Sequence, residues 1–133
     1  MPPEQVKGIH VLKYIGHAYF LKGEYQKANF YLDREIKTNL EKITNNHRHA
    51  TVFNSALNLA CIYSARGEIE KSLEYLVQLK NKTTCWETFL LSLHSCPMYD
   101  NIRSTQEFKE VINHLESVYQ YEHEQVKQLL AQS

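Results

Sequence analysis

The sequence predicts an all-α fold, built from antiparallel helical hairpins and closed by a capping helix at the C-terminal end. Its 133 residues include only four glycines and three prolines, and this scarcity of helix breakers favours long helices. Apolar residues recur three and four positions apart along most of the chain, and single glycines separate two pairs of such stretches. The length suits one hydrophobic core, so we expect a single domain over residues 1–133.

The first predicted hairpin covers about residues 4–45. Pro3 suits the first turn of its opening helix, because the N–H that proline lacks has no partner there. Gly23 suits the left-handed residue that closes this helix, and a second helix of about 20 residues follows. The first apolar stripe comprises Val6, Ile9, Leu12, Ile15, Tyr19 and Phe20; the second comprises Tyr25, Ala28, Leu32, Ile36, Leu40 and Ile43.

The second predicted hairpin covers about residues 48–80, with Gly67 at its turn. Gly16 in the first hairpin and Ala60 in the second are small residues that leave space for the paired helix to pack closely. The stripe of the third helix comprises Val52, Ala56, Leu59, Ala60 and Tyr63; that of the fourth comprises Ile69, Leu73, Leu76 and Leu79.

A predicted capping region covers about residues 84–131. Thr84 and Glu87 fit a capping box that opens a short helix, and Ser104 and Glu107 fit a second box that opens a long one. Pro97 falls in the loop between them. Three aromatic residues of this region are expected in the core: Trp86, Tyr99 and Phe108.

The two hairpins carry a similar set of residues, and this set resembles the tetratricopeptide repeat. That family has a W-x2-L-G-x2-Y, A-x3-F pattern on a period of about 34 residues. The glycines at 23 and 67 lie 44 residues apart, so the superhelix that the resemblance implies should be locally irregular; other helical repeats are the alternative. The first unit matches at Leu12, Ile15, Gly16, Tyr19, Gly23, Tyr25, Ala28 and Leu32, and the second at Ala56, Leu59, Ala60, Tyr63, Gly67, Ile69, Ser72 and Leu76.

The segment "CPMYDNIRSTQEFKEVINHLE" resembles a closing segment found after bacterial tetratricopeptide arrays. In that family the segment seals the array, and it often ends larger regulatory proteins. Cys96 stands where the family has aspartate. The matching residues are Pro97, Tyr99, Ile102, Arg103 and Phe108.

The resemblance implies a concave groove lined by the first helix of each unit, which receives an extended peptide or a helix. Cys61 lies among apolar neighbours, which also favours a core position. Lys13 and Asn58 match positions of a carboxylate-binding clamp in some members, but His17 replaces an asparagine there, so we do not predict that clamp. The expected groove residues are Lys13, Tyr14, His17, Leu21, Asn54, Asn58 and Cys61.

The composition argues against nucleic acid and membrane partners. Basic and acidic residues number 15 each, so no net charge steers the chain towards an anionic polymer or lipid. No apolar run approaches the roughly 20 residues that span a bilayer. Three cysteines without C-x-x-C spacing favour reduced thiols in the cytoplasm, with a periplasmic location as the alternative.

No catalytic or metal site is predicted. His47 and His49 lie in a polar segment and are expected to be solvated. His123 and Glu124 begin an H-E-x-x-H zinc motif, but Lys127 stands where the second histidine is needed. We therefore expect a non-enzymatic protein-interaction module without a cofactor. The alternatives are a self-associating homodimer module and a small helical metal-dependent hydrolase.

Overall fold

The computed structural model describes residues 11–45, 48–83, 85 and 87–132, with the backbone alone at residues 49 and 50. This part of the chain is helical and contains no strand, which confirms the predicted all-α class. Two short 3₁₀ segments, Val77–Asn81 and Pro97–Tyr99, separate the later helices. The α-helices are α1 (Val11–Leu21), α2 (Tyr25–Asn45), α3 (His49–Ala65), α4 (Ile69–Leu76), α5 (Glu87–Ser95) and α6 (Gln106–Ala131).

Helix α1 packs against α2 and α3 packs against α4, while α2 and α3 join the two pairs. The core lies between these helices and continues under α5 and the first half of α6. Among the described residues, no helix is both long enough and apolar enough to cross a membrane.

Two glycines make the turns within the helix pairs, as predicted. Gly23 has φ +78° and Gly67 has φ +80°, a left-handed conformation that residues with a Cβ rarely adopt. Each glycine N–H donates to the carbonyl three residues earlier, at 3.0 Å and 2.9 Å. The next N–H donates to the carbonyl five residues earlier, at 3.0 Å and 2.9 Å. Both turns are therefore Schellman motifs, which satisfy carbonyls at the end of α1 and α3.

The paired helices approach closely at Gly16, which confirms the predicted role of this residue. A Cβ at this position would lie 2.6 Å from Leu32 Cδ2 and 3.2 Å from the Ala28 carbonyl oxygen. Ala28 and Leu32 are fully buried. In the second pair, Ser72 Oγ donates to the Ala60 carbonyl at 2.6 Å. The small residues thus bring the two helix backbones within reach of each other in both pairs.

Equivalent side-chain contacts occur within each helix pair, and they lie 44 residues apart in the sequence, as the two glycines do. Tyr19 stacks on Tyr31 with ring centroids 5.7 Å apart, and Tyr63 stacks on Tyr75 at 5.9 Å, both with an interplanar angle of 11°. A lysine ammonium lies over the first tyrosine of each stack, at 5.5 Å and 5.4 Å from the ring centroid. The second pair therefore repeats the packing of the first, and not only its sequence pattern.

Arg66 ties the second pair to the first. Its guanidinium donates to Asp33 Oδ1 at 2.7 Å and to Asn29 Oδ1 at 3.3 Å on α2. The same group donates to Glu68 Oε2 at 2.8 Å in its own turn. Such a planar group fits several oxygen acceptors at once, so Arg66 fixes where the α3–α4 turn lies against α2.

The C-terminal region is anchored on α3 by two side-chain hydrogen bonds, one buried and one part-buried. Tyr99 OH donates to the Leu57 carbonyl at 3.1 Å, and Asn101 Nδ2 donates to the Ser64 carbonyl at 2.8 Å. Arg103 Nη2 donates to the carbonyls of Leu93 at 2.8 Å and Cys96 at 3.0 Å. Tyr99 and Phe108 are buried, as expected from the sequence.

Two local predictions were wrong in position. The fourth helix does not run to Leu79, because the chain changes to a 3₁₀ helix after Leu76. Three residues per turn in this segment place Leu76 and Leu79 on the same side, and both are fully buried. The cap of α6 is Thr105 and not Ser104, since Thr105 Oγ1 accepts from Phe108 N at 3.2 Å. The predicted helix start at Pro3, the Thr84 cap, Trp86 and His47 lie outside the described residues.

We expect Gly16→Val to lower the free energy of unfolding by about 2 kcal/mol, because the new methyl groups would overlap Leu32 and the α2 backbone. Ala18→Val is the matched control on the exposed side of α1, and it should cost only about 0.5 kcal/mol of helix propensity. Urea unfolding monitored by circular dichroism gives both values. Equal losses at the two positions would show that close approach at Gly16 is unimportant.

Candidate functional site

One open cavity collects side chains from three α-helices and one 3₁₀ segment. Its volume is about 390 Å³. Helices α1, α3 and α5 each contribute, together with the 3₁₀ segment Pro97–Tyr99. Polar groups converge on it from three helices, unlike the cavity of about 410 Å³ along α2, which a single helix lines. We call it the groove; it is lined by Lys13, Tyr14, Asn54, Leu57, Asn58, Thr88, Phe89, Ser92 and Tyr99.

The structure brings four of the seven sequence-predicted residues together in the groove: Lys13, Tyr14, Asn54 and Asn58. Tyr14 is 53% exposed and stands at the rim. The other three, His17, Leu21 and Cys61, do not line it.

Cys61 has no exposed surface, so its assignment to the groove was wrong and its alternative core assignment is confirmed. Leu21 is 73% exposed at the end of α1 and lies outside the cavity. His17 is half-buried on α1 and also lies outside it. Burial lowers the pKa of His17, and the nearby Asp100 carboxylate opposes that shift. On α1 the groove is therefore lined only by Lys13 and Tyr14, near the start of the helix. The repeat pattern predicted groove residues as far along this helix as Leu21.

Lys13 is buried, with only 6% of its surface exposed. Its Nζ donates to Asn58 Oδ1 at 2.8 Å. Asn58 Nδ2 donates in turn to Asn39 Oδ1 at 3.4 Å, and Asn39 Nδ2 donates to the Glu35 carbonyl at 2.8 Å. This chain of hydrogen bonds runs from the groove through α3 to α2 and fixes the orientation of each amide.

The positive charge of Lys13 shapes the electrostatics of the groove. Over the described part of the chain, no carboxylate lies within 4.0 Å of its ammonium. The ammonium lies 5.1 Å from the centroid of the Tyr14 ring, within cation–π range. Burial, and then the neighbouring thiols of Cys96 and Cys61, raise the pKa of the Tyr14 hydroxyl. The groove thus offers hydrogen-bond donors and aromatic surface to an oxygen-bearing ligand.

Sequence reasoning missed the contribution of α5. Thr88 and Ser92 are four residues apart and line the groove from one face of this helix. Phe89 lies beside them, with the Lys82 ammonium 4.9 Å from its ring centroid. The signal in the sequence was the i, i+4 spacing of two hydroxyl residues, Thr88 and Ser92, beside the apolar residues of α5. The resemblance to the tetratricopeptide repeat predicted groove residues only in the two units that match the repeat, and α5 lies after both.

The alternative metal site gains no support from side-chain placement. Within the described ranges, no group of three His, Cys, Asp or Glu side chains is arranged to hold a metal ion. His123 stacks on the Tyr119 ring at 5.5 Å, and His94 Nε2 pairs with Glu116 Oε1 at 3.3 Å on the surface.

Comparison of the chain with protein families, with curated proteins and with solved structures finds no match. The groove is therefore a candidate on its geometry and chemistry alone.

We expect Asn58→Ala to lower the free energy of unfolding by about 2 kcal/mol, because it leaves the buried Lys13 ammonium without its acceptor. Lys13→Met should cost less than Asn58→Ala, since it leaves Asn58 Oδ1 without its donor but also removes a desolvated charge. In a protein that already carries Lys13→Met, Asn58→Ala should lower the free energy of unfolding by less than half as much as in the unaltered protein.

Urea unfolding of the four proteins in this cycle measures the coupling. Asn54→Ala is the matched control, because Asn54 is an exposed asparagine on the same helix and in the same groove. It should change stability by less than about 0.5 kcal/mol. The same cost for Asn58→Ala in both backgrounds would contradict the proposed dependence on Lys13.

Proposed function

We propose that this protein is a non-enzymatic protein-interaction module that binds an extended peptide or a helix of a partner protein in the groove. The observation that carries the proposal is the convergence of aromatic and hydrogen-bonding side chains from α1, α3 and α5 on one open cavity. Rigid helices that present such groups can bind a peptide by stacking and by hydrogen bonds to its backbone.

A tetratricopeptide-like arrangement is the architecture that we propose for the module. The shared contacts at a 44-residue offset support it, since two stacks of tyrosine rings and two glycine turns recur in the same geometry. The hydrogen bonds of the buried Tyr99 and the half-buried Arg103 support the view that the C-terminal region caps a short array. In such an array the first helices of successive units line one concave face, as α1, α3 and α5 line the groove.

The groove chemistry favours a ligand with oxygen acceptors. Lys13 supplies a buried ammonium, while Asn54, Thr88 and Ser92 add polar groups that can bind a peptide backbone. Tyr14 and Phe89 offer ring surface for an apolar side chain. A partner segment with a carbonyl or carboxylate group between apolar residues fits this arrangement.

The wider context that we propose is a larger bacterial regulatory protein in the cytoplasm. It depends on the resemblance of the residues from Pro97 to Phe108 to the closing segment of bacterial arrays. In the part of the chain that the structure describes, Cys61, Cys85 and Cys96 form no disulfide, which is compatible with a reducing compartment.

Self-association is the second candidate function, and the end of α6 favours it. From Gln120 onwards every described side chain except Glu122 is exposed. Val126 and Leu129 are 56% and 67% exposed and lie three residues apart on one face of the helix. A second copy of the chain could bury this apolar face.

The groove proposal predicts that Tyr14→Ala combined with Asn54→Ala removes partner binding without unfolding the protein, because both side chains are exposed at the groove. Affinity capture from cell lysate followed by calorimetry with the captured partner measures the effect. Loss of an aromatic anchor in such a site costs about 2 kcal/mol, roughly a 30-fold weaker Kd.

Phe30→Ala is the matched control, since Phe30 is 60% exposed on α2 and does not line the groove. It should bind the partner as the unaltered protein does. A partner that binds the groove variant and the control equally well would place recognition on another surface. Failure to capture any protein would contradict the interaction proposal itself.

The self-association candidate predicts a reversible dimer that Val126→Ser/Leu129→Ser weakens by at least about 10-fold, because each buried apolar side chain contributes about 1.5–3 kcal/mol. Sedimentation equilibrium measures both proteins, and the groove variant should dimerise normally. A monomer at about 1 mM, where even an association of about −4 kcal/mol is visible, would exclude this candidate.

A further inference from the structure

Several polar side chains of the groove have hydrogen-bonding capacity that the fold does not use. In the part of the chain that the structure describes, three hydroxyls and one side-chain amide at the groove make no hydrogen bond. The ammonium of the buried lysine has three N–H groups and donates to a single acceptor, Asn58 Oδ1 at 2.8 Å. The side chains concerned are those of Lys13, Tyr14, Asn54, Thr88 and Ser92.

The two hydroxyls from α5 differ from other helical hydroxyls in this protein. Thr38 Oγ1 and Thr44 Oγ1 on α2 donate to the carbonyl four residues earlier, at 3.0 Å and 2.9 Å. Ser95 Oγ does the same on α5 itself. Thr88 and Ser92 make no such bond within the described residues, so their hydroxyls are available to a ligand in the groove.

The groove also has positive charge that no carboxylate balances. Lys13 lines it, and the ammonium of Lys82 lies 4.9 Å from the ring centroid of Phe89, a second lining residue. Over the described ranges, neither ammonium has a carboxylate within 4.0 Å, and no Asp or Glu lines the groove. Glu87 precedes Thr88 in the sequence but lines a different cavity. A buried ammonium without a counter-ion is costly, so an anion in the groove would be bound favourably.

The charge and the number of donors together favour a phosphoryl group over a carboxylate. A phosphorylated side chain carries a charge of about −1.5 to −2 at pH 7 and presents three acceptor oxygens, whereas a carboxylate carries a single charge on two oxygens. Two ammonium groups can balance the larger charge. Donors that approach from α1, α3 and α5 can reach oxygens that point in different directions. Lysine is a common ligand of phosphate, which it binds as a point charge.

We propose that the groove recognises a phosphorylated serine or threonine in the partner segment, an inference that rests on the proposed groove binding. The phosphoryl oxygens accept hydrogen bonds from Lys13 Nζ and from the hydroxyls of Thr88 and Ser92. Lys82 balances the remaining negative charge from the edge of the groove.

The position of Lys13 explains why the phosphorylated side chain is a short one. The ammonium lies 5.1 Å from the centroid of the Tyr14 ring, so a phosphoryl group bound to it lies close to that ring. A serine or threonine keeps the phosphoryl group near the peptide backbone. The apolar residues on either side of it can then contact the rings of Tyr14 and Phe89.

Fluorescence anisotropy with three labelled libraries of short peptides tests the proposal. The libraries share the same degenerate apolar flanks and differ only in a fixed central residue, which is phosphoserine, serine or glutamate. We expect the phosphoserine library to bind at least about 10-fold more tightly than either of the others, as hydrogen bonds to a charged group suggest. Inorganic phosphate, measured as a competitor, should bind at least about 100-fold more weakly than the phosphoserine library, because it has no flanking residues to contact the rings.

Two variants identify the residues that bind the phosphoryl group. Thr88→Ala/Ser92→Ala and, separately, Lys13→Met should each reduce the preference for phosphoserine over serine by at least about 5-fold. The double variant removes no hydrogen bond of the folded protein, so it should fold normally by circular dichroism. Ser95→Ala is the matched control, because the Ser95 hydroxyl is bonded within α5 and does not line the groove. It should keep the full preference.

Each contrary result has its own meaning. Equal binding of the phosphoserine and serine libraries would overturn the inference and leave groove binding intact. Equal binding of the glutamate library would show that a single negative charge suffices, and inorganic phosphate that binds as tightly as the phosphoserine library would place a free anion in the groove; either result overturns the inference. Binding of no library would also overturn it. Capture of a partner that depends on Tyr14 and Asn54 then decides separately whether the groove binds a protein.

Discussion

The close approach of paired helices is the constraint on which the rest of this structure depends. Gly16 lets α1 lie against Leu32 and the α2 backbone, and Ala60 plays the same part beside Ser72 in the second pair. Dense interiors leave no space for an extra side chain at such contacts. Because the pairs are close, α1, α3 and α5 can lie near enough for one cavity to receive side chains from all three.

Lys13 shows how a polar group is accommodated in that arrangement. A lysine with 6% of its surface exposed is costly unless its ammonium is hydrogen-bonded, and Asn58 supplies the acceptor from a neighbouring helix. The charge therefore lies at the wall of the groove, held by a hydrogen bond that crosses from α1 to α3. Proteins commonly give up stability to keep charged groups at sites of function, and under the proposed groove binding Lys13 would be such a group.

Sequence reasoning found the parts of the fold that local chemistry determines. Gly23 and Gly67 were predictable because few other residues tolerate a left-handed turn. Helical periodicity shows towards which side of a helix a residue points, but not how far from the surface it lies. It therefore could not predict that Asn58 reaches the cavity while Cys61 does not. The choice of Thr105 over Ser104 as a cap could not be predicted either, because both hydroxyls suit the role and the packing of Phe108 decides between them.

The hydrogen-bond chain through Lys13, Asn58 and Asn39 has a consequence for how this groove could evolve. Asn39 lies on α2, outside the cavity, yet it helps to hold the amide that holds the ammonium. A substitution at one member leaves the next with an unsatisfied buried group, so the three positions form an epistatic unit. New specificity at the groove floor would then arise by concerted replacement, while rim residues such as Tyr14 and Asn54 remain free to change one at a time.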